Sequence, residues 1–211
     1  MALTISDYIN DKQQIVNQAL VDAIQPLDIP SRLKESILYS IEAGGKRLRP
    51  ILMMASSESF GGSNNAVLPI AIALEMVHTY SLVHDDLPAM DDDEYRRGKL
   101  TNHKMFDEAT AILAGDGLLT YSFELITNDS NYSDQQKVFL VNQLAKASGP
   151  SGMVAGQILD MQAEDKQATL KELETIHMLK TGQLIRFAII SGAYIGGATR
   201  EQLLKLETFA H

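Results

Sequence analysis

The sequence contains no cysteine, which excludes disulfides and thiolate-held metals and fits a reducing, cytoplasmic setting. Nor is there a surplus of positive charge. Eighteen Lys and Arg against 27 Asp and Glu give a formal net charge of −9, with a pI of about 5.0. A general nucleic-acid binder is usually basic, so no nucleic-acid partner is expected. The opening "MALTISDYINDKQQ" lacks both the basic start and the apolar core of a secretion signal. The most apolar stretch, 66–83, holds Glu75 and His78 and runs into Asp85. A bilayer span needs about 20 nearly uncharged residues, so this stretch reads as a buried helix and no membrane span is expected. Also missing are an alternating run of strand length, an internal repeat, a low-complexity tract and a linker.

What remains is globular composition: 211 residues, 45% hydrophobic and 21% charged, enough for one domain over 1–211 with a substantial core. Helical spacing dominates. Ile15, Val16, Ala19, Leu20, Ala23 and Ile24 form one stripe. Pro30 and Ser31 open a helix carrying Leu33, Ile37, Leu38 and Ile41, which Gly44-Gly45 should end. Pro50 suits the first turn of the next helix, which stops at Gly61-Gly62. The helix expected over 67–86 is apolar nearly all round and should be central. Further helical patterns cover 108–126, 133–147, 152–163 and 170–195, and a last one begins at about Arg200. Ser133 is a candidate N-cap. The expected architecture is all-α.

The densest chemistry lies in "HDDLPAMDDDEYRRGK", residues 84–99, with six acids between Asp85 and Glu94. On an ideal helix Asp85 and Asp91, six residues apart, lie about 240° round from one another. Pro88 removes a backbone donor and clashes with the carbonyl of His84, so the helix should loosen there. A loosened turn could swing Asp91 back beside Asp85. Repelling carboxylates held together need a cation, and all-oxygen ligands favour Mg²⁺ completed by substrate phosphates. The alternative is a solvated acidic loop, to which Asp92, Asp93 and Glu94 are assigned. Leu74, His78, Ser81 and Asp85 make one stripe, so His78 faces either a polar cavity or a partner within the core.

Two basic clusters complement the acids. "GGKRLRP" sets Lys46, Arg47 and Arg49 after two glycines and before a helix start, which suits an anion. It is not a nucleotide P-loop, because Ser40 and Arg47 stand where that motif needs Gly and Ser/Thr. A cationic helix cap would look the same. "RRGK" offers Arg96 and Arg97, whose forks suit phosphate oxygens but could equally neutralise the preceding acids. An acidic metal site plus two arginine sites suggests two anions, one held through metal and one through ion pairs.

These residues resemble the trans-prenyltransferase (polyprenyl synthase) family. "GGKRLRP", "SLVHDDLPAMDDDEYRRGK", "ILAGDGLL", "GQILDM" and "LKTGQLI" occur in that family's order and span essentially the whole chain. The four residues between Asp86 and Asp91 resemble its bacterial farnesyl diphosphate synthase (geranyltranstransferase) branch. The resemblance implies an isoprenoid-synthase-type helical bundle around a deep central cavity, usually a homodimer. It implies that Asp85, Asp86 and Asp91 hold Mg²⁺ on an allylic prenyl diphosphate that Arg96, Lys180 and Thr181 also contact, with Gln157 and Asp160 lining that site. Lys46, Arg49, His78 and Arg97, with the backbone of Gly45, would bind isopentenyl diphosphate. Tyr80, with Ser81 beside it, sits where that branch carries a chain-length floor, although an ordinary core tyrosine reads the same. For Lys180 and Thr181 the sequence alone offers a helix interior with a snorkelling Lys and a core-lining Thr.

The sequence carries one aspartate-rich motif where the family carries two, and it reaches "ETFAH" inside a helical pattern. A truncated or divergent short form is therefore expected. Its activity should be feeble or nil, and an exposed core face should favour association. Three other readings stay open: a terpene cyclase, a metal phosphohydrolase using His84-Asp85, and a non-catalytic prenyl-diphosphate-binding subunit.

Overall fold

The computed structural model describes residues 4–164 and 167–209. The helical pattern expected through "ETFAH" runs into Ala210 and His211, which lie outside the described residues. The chain is all-α: α1 (Ile5–Ile24), α2 (Ser31–Glu42), α3 (Leu48–Ser59), α4 (Asn64–Asp85), α5 (Asn102–Met105), α6 (Glu108–Asn128), α7 (Asp134–Ser148), α8 (Met153–Ala163), α9 (Leu170–His177), α10 (Gln183–Gly196) and α11 (Arg200–Phe209). Two short strands, β1 (Tyr95–Arg96) and β2 (Lys99–Leu100), pair antiparallel between α4 and α5. Contacts sort the chain into two compact units, Met1–Ile51 with Leu68–Leu125, and Leu52–Val67 with Ile126–His211.

In the first unit α1 packs on α2. The expected stripe turns Val16, Leu20 and Ile24 inward, whereas Ile15 stays exposed. On α2, Ile37 and Ile41 are buried. Helix α4 begins at Asn64, three residues before the expected start, and carries Pro69 inside it. By length and composition alone α4 could cross a membrane, with mean hydropathy 1.6. It is instead a core helix, with Ile70, Ala71, Ala73, Leu74, Met76 and Val77 buried.

In the second unit α10 packs on α7 and α11, and α8 on α9. Reciprocal capping boxes start α7 at Ser133/Gln136 and α9 at Thr169/Glu172, satisfying N-terminal donors that a bare helix leaves open. The single helix expected over 170–195 is interrupted. Between α9 and α10 the backbone widens into a π turn, Met178–Gly182. Helix α8 approaches this turn closely: a Cβ added at Gly156 would collide with the backbone of Lys180. Two helices meet there backbone to backbone, and single π turns recur where function places a residue.

Because that approach needs a bare Cα, Gly156→Ala should lower stability by about 1–3 kcal/mol through overpacking. Urea denaturation followed by circular dichroism reads this as a lower midpoint at unchanged helical content.

Candidate diphosphate site at the end of helix α4

Helix α4 ends as the proline demands. The Leu87 N–H reaches back to the His84 carbonyl at 3.1 Å, and the chain then folds over until the Asp91 N–H bonds the Asp85 carbonyl at 2.8 Å. That bond closes the six-residue span and returns Asp91 to Asp85. The Asp92 N–H closes a second bond to Leu87 at 3.1 Å, with Asp92 itself left-handed at φ 49°. Asp85 is half-buried, Asp91 exposed, and Asp86 buried.

Asp86 has a different partner from the one its position in the motif suggests. Its Oδ1 accepts from Arg96 Nε at 2.7 Å and pairs with Arg96 Nη2 at 2.6 Å. The bond to Asp86 pushes the Arg96 guanidinium above its ordinary value. Among the described residues no group of three His or acid side chains is arranged to hold a metal ion by itself. A backbone-joined Asp85–Asp91 turn still fits Mg²⁺, which takes one or two carboxylates and fills its remaining positions with water and phosphate oxygen.

The hairpin explains the adjacent arginines. Arg97 and Gly98 form the turn with φ 54° and 77°, the pair of left-handed residues that a tight type I′ hairpin needs. Arg96 turns to Asp86, and Arg97 lies over Gly45, where a Cβ would collide with its guanidinium.

Gly45, Lys46, Arg49, His78 and Arg97 line one cavity of about 480 Å³, together with Arg47, Leu48 and Glu75. The five residues that the sequence grouped for one diphosphate therefore stand around one space. Arg49 Nη1 lies 3.3 Å from His78 Nε2. Arginine has no acceptor, so Nε2 takes the bond and the ring proton sits on Nδ1. Burial, then the neighbouring arginines led by Arg49, pull His78 down to about 3. It is a neutral side chain with one N–H to offer. Burial also lowers the Arg49 and Arg97 guanidinium groups, which remain cations.

Glu75 escaped the sequence reading as a site residue. The signal was there: an acid three residues before His78, inside the most apolar helix. It is 2% exposed and paired with Arg47 at 2.8 Å. Tyr80 is buried and meets the His84 ring edge-on at 5.6 Å, while the Ser81 hydroxyl donates back to the His78 carbonyl at 2.9 Å. His84 faces α6: its Nε2 is 3.0 Å from the Ile112 carbonyl, and its ring occupies the space a Cβ at Gly115 would need. That orientation removes the support for a His84-Asp85 metal pair.

In the second unit Lys180 Nζ, in the π turn, donates to Asp160 Oδ2 on α8 at 2.6 Å. Gln157 is half-buried one turn earlier on α8, and Thr181 is exposed rather than core-lining.

An all-helical fold, a proline-ended central helix carrying carboxylates and a cation-lined cavity define a class of protein built to hold anionic groups beside apolar helix. The chain belongs to the polyprenyl synthetase family, whose profile matches residues 30–211. It is 50% identical over 210 residues to a farnesyl diphosphate synthase of Geobacillus stearothermophilus, covering 99% of this chain and 71% of the relative. It is 49% identical over 212 residues to that of Bacillus subtilis (strain 168), covering 100% and 72%. An apo FPP/GFPP synthase structure from Zymomonas mobilis superposes with TM-score 0.92 at 36% identity, covering 100% of this chain and 77% of the other.

His78 supplies a pH test. A histidine at about 3 folded, against 6.5 ordinarily, binds its proton more readily when unfolded. Its contribution to stability is full above pH 6.5 and is lost as pH falls toward 3. His78→Gln should flatten that part of the profile, read as Tm against pH.

Proposed function

We propose that the chain acts as a farnesyl diphosphate synthase, joining isopentenyl diphosphate head to tail to dimethylallyl or geranyl diphosphate. The observation that carries this reading is the cavity shared by Gly45, Lys46, Arg49, His78 and Arg97. It is a second anion site, distinct from the carboxylates that end α4. A terpene cyclase ionises one diphosphate and has no use for such a site.

On this reading Lys46, Arg49 and Arg97 neutralise the diphosphate of isopentenyl diphosphate, and neutral His78 donates its Nδ1–H. A cation at His78 would gain charge attraction but would stand among arginines, and burial forbids it. Asp85 and Asp91 would hold Mg²⁺, with Asp86 fixing Arg96 beside them. When bound, Mg²⁺ supplies the charge that lets the allylic pyrophosphate leave. The allylic carbon–oxygen bond breaks with its electron pair going to pyrophosphate. The isopentenyl double bond then forms the new carbon–carbon bond, and a proton leaves beside the new cation. No side chain among the described residues stands out as the base, so the released pyrophosphate is the assigned proton acceptor. The buried residues of α4 exclude water, which would quench the cation.

Arg96, Lys180, Thr181, Gln157 and Asp160 belong to the allylic side of this scheme, and Lys180 is kept in place by Asp160. Buried Tyr80, with Ser81, is the assigned floor that limits growth to fifteen carbons. One prenyltransferase domain, working as a homodimer, is the assembly proposed.

Geranyl diphosphate with labelled isopentenyl diphosphate and Mg²⁺ should yield labelled farnesyl diphosphate. Tyr80→Ala should lengthen the product, read by chromatography after dephosphorylation. Hydrocarbon formed from geranyl diphosphate alone would overturn the synthase reading in favour of a cyclase.

A further inference from the structure

Arg47 is the one cation of "GGKRLRP" without a part in the scheme above. It is 3% exposed, and its backbone is left-handed at φ 48°. Its guanidinium is used up inside the protein. Nε donates to Asn17 Oδ1 on α1 at 2.8 Å, Nη1 to Glu75 Oε1 on α4 at 2.8 Å, and Nη2 to the Ile41 carbonyl on α2 at 2.5 Å. Two residues earlier, the Gly45 carbonyl accepts from Gln13 Nε2 at 2.5 Å. The loop joining α2 to α3 is thus pinned at 45 and at 47, on either side of Lys46.

A buried ion pair is a poor device for stability, because an apolar pair of similar volume usually serves as well or better. A non-glycine residue with positive φ persists only where its surroundings over-determine it. Both facts ask what the pair accomplishes, and the cavity answers. Lys46 and Arg49 flank Arg47, and Gly45 supports the Arg97 guanidinium, so the geometry of the loop sets where three cations point.

We propose that Glu75, acting through Arg47, is the positioning residue of the cation-lined cavity, fixing the 43–47 loop and the start of α3 so that Lys46, Arg49 and Arg97 converge on one diphosphate. The inference rests on reading that cavity as a diphosphate site. Its sign is distinctive. Glu75 itself lines the cavity, and a carboxylate near an anion opposes binding. If Glu75 were only a counter-charge, removing it would tighten binding. If it positions the loop, removing it weakens binding.

The test is calorimetric titration of the full chain with inorganic pyrophosphate in EDTA, which suppresses diphosphate binding through metal. Replacing the pair by Arg47→Met with Glu75→Leu removes both buried charges at similar volume. That variant should keep its Tm within a few degrees yet bind pyrophosphate about tenfold more weakly, the scale of one or two lost hydrogen bonds. Glu75→Gln should shift affinity the same way. Unchanged or tighter binding in either folded variant overturns the proposal. So does a double variant that no longer folds, since the pair would then be a stability device. Arg97→Ala separates the layers. If the parent chain binds pyrophosphate no better than Arg97→Ala, the cavity reading itself fails. If Arg97→Ala weakens binding and the double variant does not, only the role of Glu75 falls.

Discussion

The first unit is organised by one constraint: four cations, Lys46, Arg47, Arg49 and Arg97, stand together around one cavity. Like charges in a partly buried space repel strongly, because the dielectric that would screen them is gone. Glu75 is what makes the crowding tolerable. It is buried in α4, where burial raises its carboxyl above the ordinary value while Arg47, Arg49 and Arg97 draw it back down. With Arg47 it ties α1, α2 and α4 to the loop that leads into α3. The shape of the cavity and the tolerance of its charge have the same source.

Division of labour between neighbours recurs at the hairpin. Arg96 and Arg97 are adjacent in sequence but have opposite duties. Arg96 locks onto Asp86 at the end of α4, and Arg97 sits against Gly45 beside the cavity. The left-handed turn at Arg97-Gly98 makes this possible, since it reverses the chain within two residues. The Arg96–Asp86 pair also gives the buried Asp86 carboxylate its counter-charge. Asp85 and Asp91 are joined by the backbone bond that closes the turn.

Much of this was legible beforehand because it follows from local rules. Glycine pairs ended α2 and α3, Ser133 capped α7, and the missing donor of Pro88 foretold the loosened turn that returns Asp91 to Asp85. What stayed hidden depends on partners distant in sequence. Glu75 looked only like an argument against a membrane span, because nothing local announces that Arg47, 28 residues earlier, will meet it. The π turn at Lys180 packs against the bare Cα of Gly156 on another helix, a contact between distant residues that local pattern does not announce. The hairpin has two residues per strand, too few for alternation to register. Thr181 looked core-lining because helical periodicity continues through a turn that the backbone widens.

His78 shows how these layers combine. The ring is neutral because burial disfavours its charged form and the arginines repel it. A diphosphate would bring several negative charges to the same space and reverse the second of these effects, moving the ring back toward its ordinary value. Arg49 fixes the ring by donating to Nε2 and leaves Nδ1–H as its donor. An anion entering such a cavity meets cations at its charged oxygens and a neutral donor at its edge. Cations alone would hold any small polyanion, whereas a directional donor whose tautomer is already set favours one orientation of it. Orientation is what a condensation needs, since the double bond must face the carbon it will attack.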